Sequence, residues 1–176
     1  LSRRPGAMQR TALKLVGAFR PGVLETHRHD AVRFHAGRRV CVVSPADRDV
    51  DQFRKLQWGD TWVKYELVKA LGELGFIVTD IDPDVVVHLY GGPSALPDSP
   101  RRVIWVYSHP ERLRPRDLAI YDRIMCLSPT MVARIRAWGY DVDTLPWATS
   151  RRPRASAHRH DVVFVGNARG GSRPVI

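Results

Sequence analysis

From residue 38 onward the hydrophobic positions fall into two alternating patterns. "RRVCVVSPA" (38–46), "DVVVHLYGG" (84–92) and "RRVIWVYSHPE" (101–111) are short, nearly continuous apolar runs rich in valine and bounded by Pro, Gly or charge. Such runs predict strands covered on both faces. "FIVTDID" (76–82), "RIMCLSP" (123–129) and "DVDTLPWA" (141–148) predict three more. Between them the period changes. In "WGDTWVKYELVKALGELGF", Val63, Leu67, Ala70, Leu71 and Leu74 share one helical face, with Asp60 as the cap and Gly75 just past the end. Ser128 followed by Pro129 opens another helix, "TMVARIRAW", which Gly139 closes and which turns Met131, Val132, Ile135 and Trp138 toward the sheet. Six strands alternating with helices predict an α/β fold, a Rossmann-like parallel sheet with helices on both faces.

The flanks read differently. Residues 1–37 form a basic arm, in which "MQRTALKLVGAF" predicts a short amphipathic helix with Leu13, Val16 and either Ala12 or Phe19 on one side. Residues 38–150 are the Rossmann-like domain. Residues 151–160 are an Arg- and Pro-rich linker. "DVVFVGNARGG" then runs a new strand into a glycine loop, so residues 161–176 read as the start of a second domain.

Charge sharpens this division. The chain of 176 residues carries a net charge of +10, but not evenly. Residues 1–39 hold nine Lys/Arg against two Asp/Glu, residues 151–160 hold four Arg and no acid, and residues 40–150 come to −2. A near-neutral domain with no nucleic-acid motif argues against nucleic acid as the partner. The basic flanks suit an anionic membrane surface, an acidic partner surface or solvated charge. Cys41 and Cys126 sit inside apolar runs and read as buried free thiols, which fits a reducing cytoplasm. No run reaches the ~20 apolar residues that span a bilayer, and Lys14 and Arg20 interrupt the only apolar stretch near the N-terminus.

In an open parallel sheet, ligands bind beyond the carboxyl ends of the strands. There the loop after the first strand lacks G-x-G-x-x-G, which argues against a dinucleotide site. Trp58, Gly59 and Asp60 stand at a helix N-terminus, where they serve either as a cap with a packed tryptophan or as a contact for a hydroxyl or anion. Gly91 and Gly92 allow either a tight turn or close ligand approach. "YSHPE" puts Ser108, His109 and Glu111 past a central strand. His109 can take a proton from a hydroxyl, donate to a substrate, or be satisfied by its own loop. Glu111 can orient His109 or act as a base itself. His88 lies within a strand and reads as a core histidine. Metal signals are poor: Asp47, Asp49 and Asp51 lack the glycine and glutamate of a calcium loop, and Asp80-Ile81-Asp82 is a short acidic pattern common by chance. No bound metal and no cofactor is expected.

Three pieces carry a resemblance: "WGDTWVKYELVKALGELGF", "VIWVYSHPERLRPRDLAIYDRIMCLSPTMVARIRAWGYDVDTLPWAT" and "DVVFVGNARGGSRPVI". Together they resemble bacterial glycosyltransferases of the GT-B fold, in particular the spore-maturation-protein-like group. The resemblance spans about residues 38 to 176. It implies a metal-independent enzyme with two Rossmann-like domains, the first mostly holding a hydroxylated acceptor and the second the nucleotide-sugar donor. Trp58, Gly59, Asp60, Gly91, Gly92, Ser108 and Glu111 would then line the acceptor side around His109, the catalytic candidate. Gly166, Asn167, Arg169 and Gly170 would approach the donor. With only the first strand of a truncated donor domain, the chain is expected to show no transfer by itself. The alternative is a non-catalytic Rossmann-like binding or assembly module with basic flanks, and a homo-oligomer would cover any apolar surface left open.

Overall fold

A computed structural model describes residues 7–17, 37–48, 51 and 59–148. Trp58 and the four donor-side residues Gly166, Asn167, Arg169 and Gly170 lie outside them, as do the linker and the 161–167 strand.

Six parallel strands form one sheet: β1 (Arg39–Val43), β2 (Ile77–Val78), β3 (Val85–Tyr90), β4 (Arg102–Val106), β5 (Arg123–Cys126) and β6 (Asp143–Thr144), in the order β2-β1-β3-β4-β5-β6. The valine-rich runs became the central strands because they can be buried on both faces. β3 is buried at all six positions. Along β4 the two faces separate by alternation, Val103 and Trp105 to one core and Ile104 and Val106 to the other. The edge strands are shorter than their apolar patterns predict. β2 holds two residues of the expected 76–82 and β6 two of the expected 141–148, and all four are exposed.

Helix α1 (Ala7–Gly17) and helix α2 (Gly59–Glu73) cover one face, and helix α3 (Pro129–Ala137) with two 3-10 turns covers the other. The segment of α1 carries the charge of an arm but packs as core. Met8, Ala12 and Leu15, spaced as one helical stripe, are buried against α2 and the sheet, and Gln9 Nε2 donates to Glu73 on α2 at 2.7 Å. The expected short helix is present; Ala12 of its expected side is buried, while Leu13, Val16 and Phe19 lie outside the described side chains. Arg10 and Lys14 lie exposed between the buried positions, so counting charge hides the stripe.

Helices α2 and α3 end alike. After α2, Gly75 takes φ 88°, its N–H donates to Gly72 O, and Phe76 N–H reaches back to Leu71 O. After α3, Gly139 takes φ 87° with the same pair of bonds to Arg136 O and Ile135 O. These are Schellman closures, in which the left-handed residue satisfies the last carbonyls. At the start of α3, Ser128 Oγ accepts from Met131 N at 3.3 Å, with Pro129 in the first turn. Asp60 differs from its expected role. The helix begins at Gly59, so Asp60 stands inside the first turn rather than before it, and its carboxylate serves another partner.

Candidate functional site

β4 ends at Val106, and the next five residues bring two groups of side chains to the carboxyl edge of the sheet. Tyr107 turns toward the α1–α2 face, where it packs against that core. Its hydroxyl donates a short hydrogen bond to Asp60 Oδ1 in the first turn of α2. Burial, reinforced by the Asp60 charge, pushes the Tyr107 phenol far above its ordinary range, so it remains a donor at any ordinary pH. Trp147, beyond β6, lies edge-on to Tyr107 with ring centroids 5.0 Å apart at 74°, and 5.5 Å from Trp105. Trp105 is fully buried, and its indole N–H donates to Leu145 O at 3.2 Å. That bond ties the segment carrying Trp147 to the central strand. Trp147 itself is 47% exposed. The result is an aromatic surface on a rigid base, with a carboxylate at its margin.

His109 forms the second group. It holds φ 46°, ψ 49°, the left-handed region that a residue with a Cβ enters at a cost. The strain sets His109 at the head of the turn Pro110–Arg112 and brings its Nδ1 to 3.0 Å from Glu111 Oε1. Backbone hydrogen bonding, and then the bond from His109, hold the Glu111 carboxyl below the usual carboxylate range. An ionised carboxylate has no proton to give, so Nδ1 is the donor here, and in the neutral ring Nε2 is then the acceptor. This is the arrangement of an oriented general base. One residue separates Tyr107 from His109, so their Cα atoms are at most about 7 Å apart. Ser108 lies part-buried between them.

The glycines play other parts. A Cβ on Gly91 would meet Pro45 Cγ at 2.5 Å, so glycine is there to let the loop after β1 pack on the end of β3. That close approach is between two parts of the chain. Gly92 holds φ 141° beside the Arg112 guanidinium, a conformation that favours glycine. Gly59 opens onto free space at the start of α2. The structure thus brings Asp60, Ser108, His109 and Glu111 of the expected residues to one edge, with Gly59 beside Asp60 in α2, while Gly91 serves packing.

His88 is buried, with Nδ1 2.6 Å from the Tyr121 hydroxyl and its ring stacked on Tyr121. Among the described residues no three His, Cys, Asp or Glu side chains are grouped to hold a metal ion. No helix among them is long and apolar enough to cross a membrane.

Tyr107 and Trp147 were missed in the sequence because each reads as an ordinary hydrophobic residue at a strand end. The usable signal was the aromatic at the end of "WVY" together with that in "LPWA", two strand ends that parallel neighbours bring to the same edge. Comparison with family models, curated proteins and solved structures finds no match for this chain.

Proposed function

We propose that this domain is the acceptor-binding side of a glycosyltransferase that moves a sugar from a nucleotide-sugar to a hydroxyl of a glycan, lipid or small molecule. The observation that carries the reading is the exposed Trp147 face beside the Asp60–Tyr107 pair, at the same strand end as the His109–Glu111 pair. A sugar ring has one face of C–H groups and a rim of hydroxyls. The C–H face suits the negative face of an indole. The rim suits a carboxylate acceptor such as Asp60.

His109 would act on the bound acceptor. Nε2 takes the proton of the attacking hydroxyl as its oxygen forms a bond to the anomeric carbon of the donor. The bond from that carbon to the diphosphate breaks, and the electron pair leaves with the diphosphate. The proton ends on Nε2, and the resulting imidazolium is stabilised by Glu111 across the 3.0 Å contact. Resemblance assigns the donor side to Gly166, Asn167, Arg169 and Gly170, and the arginine suits a diphosphate.

The test is a titration of the chain with a panel of methyl glycosides and oligosaccharides, followed by tryptophan fluorescence and saturation-transfer NMR. Saturable binding that is lost in Trp147→Ala and weakened in Asp60→Asn supports the reading. A protein that binds no glycoside, or binds equally well without Trp147, overturns it.

A further inference from the structure

The strand order places a second cleft at the same carboxyl edge, lined by residues other than those of the Trp147 surface. β1 has β2 on one side and β3 on the other, so the chain builds outward from β1 in opposite directions. Such a switch point is where open parallel sheets bind ligands. β2 pairs only with Arg39 and Val40, so on that side Cys41 to Val43 have no strand neighbour among the described residues. Two adjoining cavities, of about 470 and 580 Å³, lie here and share Val43, Asp47 and Ala95. Their size is that of small-molecule sites.

The polar groups in this cleft are specific about what they can take. Ser94 Oγ is buried and has no hydrogen-bond partner among the described residues. Burying a hydroxyl unpaired is costly, so a partner at that point is worth more than at the surface. Asp80, just beyond β2, makes no hydrogen bond or ion pair among the described residues. Thr79 Oγ1 accepts from Ile81 N at 3.1 Å, which leaves its proton to donate. Lys64 is already paired with Asp47. Among the described lining residues the one cation is neutralised and a second carboxylate is free, a balance that disfavours phosphate and carboxylate ligands. Its walls, Val43, Val78 and Pro97, are apolar.

We propose that this cleft binds a neutral ring sugar through a vicinal diol, with the two oxygens of Asp80 accepting the two hydroxyl protons and Ser94 meeting a further polar atom at the other end. A carboxylate after the second strand is where doubly wound sheets hold a ribose diol. Here the phosphate-binding glycine loop is missing, so the diol is held without a phosphate beside it. The chemistry is shared by the ribose of a nucleoside and by a pyranoside with adjacent cis hydroxyls. The site has no residue in common with the Trp147 surface and does not depend on the acceptor reading.

The experiment is calorimetric and NMR titration of the chain with adenosine, 2′-deoxyadenosine and methyl mannoside. Binding of adenosine alone names a nucleoside, binding of the mannoside alone names a pyranoside, and binding of both shows that the diol suffices. In each case Asp80→Asn is expected to weaken binding by at least about tenfold, the scale of a lost charge-assisted hydrogen bond. Ser94→Ala is expected to weaken it several-fold with an unchanged melting temperature, and Trp147→Ala to leave it intact. The proposal is overturned if neither diol binds, if 2′-deoxyadenosine binds as tightly as adenosine, or if Asp80→Asn binds like the parent.

Discussion

Asp60 and Tyr107 fix each other at the margin of the aromatic surface. The Tyr107 hydroxyl is the donor that satisfies Oδ1 of Asp60, in a part-buried place where an unpaired carboxylate is costly. Tyr107→Phe keeps the ring contact with Trp147 and removes only that donor. Urea denaturation is expected to show a loss of about 1–3 kcal/mol. A loss near zero would mean that water replaces the phenol without cost. His109 carries strain of a different kind. Its backbone conformation is one that asparagine tolerates with less penalty, so His109→Asn is expected to keep stability within about 0.5 kcal/mol of the parent while removing the imidazole. Glycoside binding should persist in that variant if Trp147 and Asp60 hold the ligand, and any transfer activity should fall by about two orders of magnitude or more.

At the level of elements, legibility followed how directly a residue's burial depends on its neighbours in sequence. Both helix closures could be read from Gly75 and Gly139, and the start of α3 from Ser128 and Pro129, because caps are local. The central strands could be read because valine runs have few other places to go. The edge strands were overestimated, since an apolar pattern does not say how many residues find a partner: β2 pairs through Arg39 and Val40 alone. α1 was read as a helix, and Ala12 of its expected stripe is buried; Met8 and Leu15 were not expected to pack. Its charge suggested solvent, yet Met8, Ala12 and Leu15 are buried and join it to α2. Leu15→Ala is therefore expected to cost about 2–5 kcal/mol, as for any fully buried leucine. Lys14→Ala, one residue away and exposed, should stay within about 0.5 kcal/mol. Equal small effects from the two would show that α1 does not belong to the core.

On the scale of the whole molecule, the candidate site belongs to the sheet and to no single segment. Residues 60, 107 and 147 meet because the sheet brings the start of α2 and the ends of β4 and β6 to one edge. Only His109 and Glu111, two residues apart, could be paired from the sequence. The same sheet buries several acidic groups in neutral form. Burial raises the Cys41 and Cys126 thiols and the Tyr90, Tyr107 and Tyr121 phenols above their ordinary values. In the unfolded chain these groups titrate near 8.5 and 10. Between those values and the raised ones the folded state keeps protons that the unfolded state has lost. Stability must then fall with rising pH, because its slope follows protons bound unfolded minus protons bound folded. The contribution is fully present below about pH 8 and declines first as the thiols, then the phenols, ionise in the unfolded chain. Urea midpoints measured from pH 7 to pH 11 should drop progressively above about pH 8.5, with the steeper loss near 10. Cys41→Ser with Cys126→Ser should remove the earlier part of the decline and leave the later one, since three of the five groups are phenols. A midpoint that stays flat to pH 11 would mean that these side chains ionise in the fold as freely as in water.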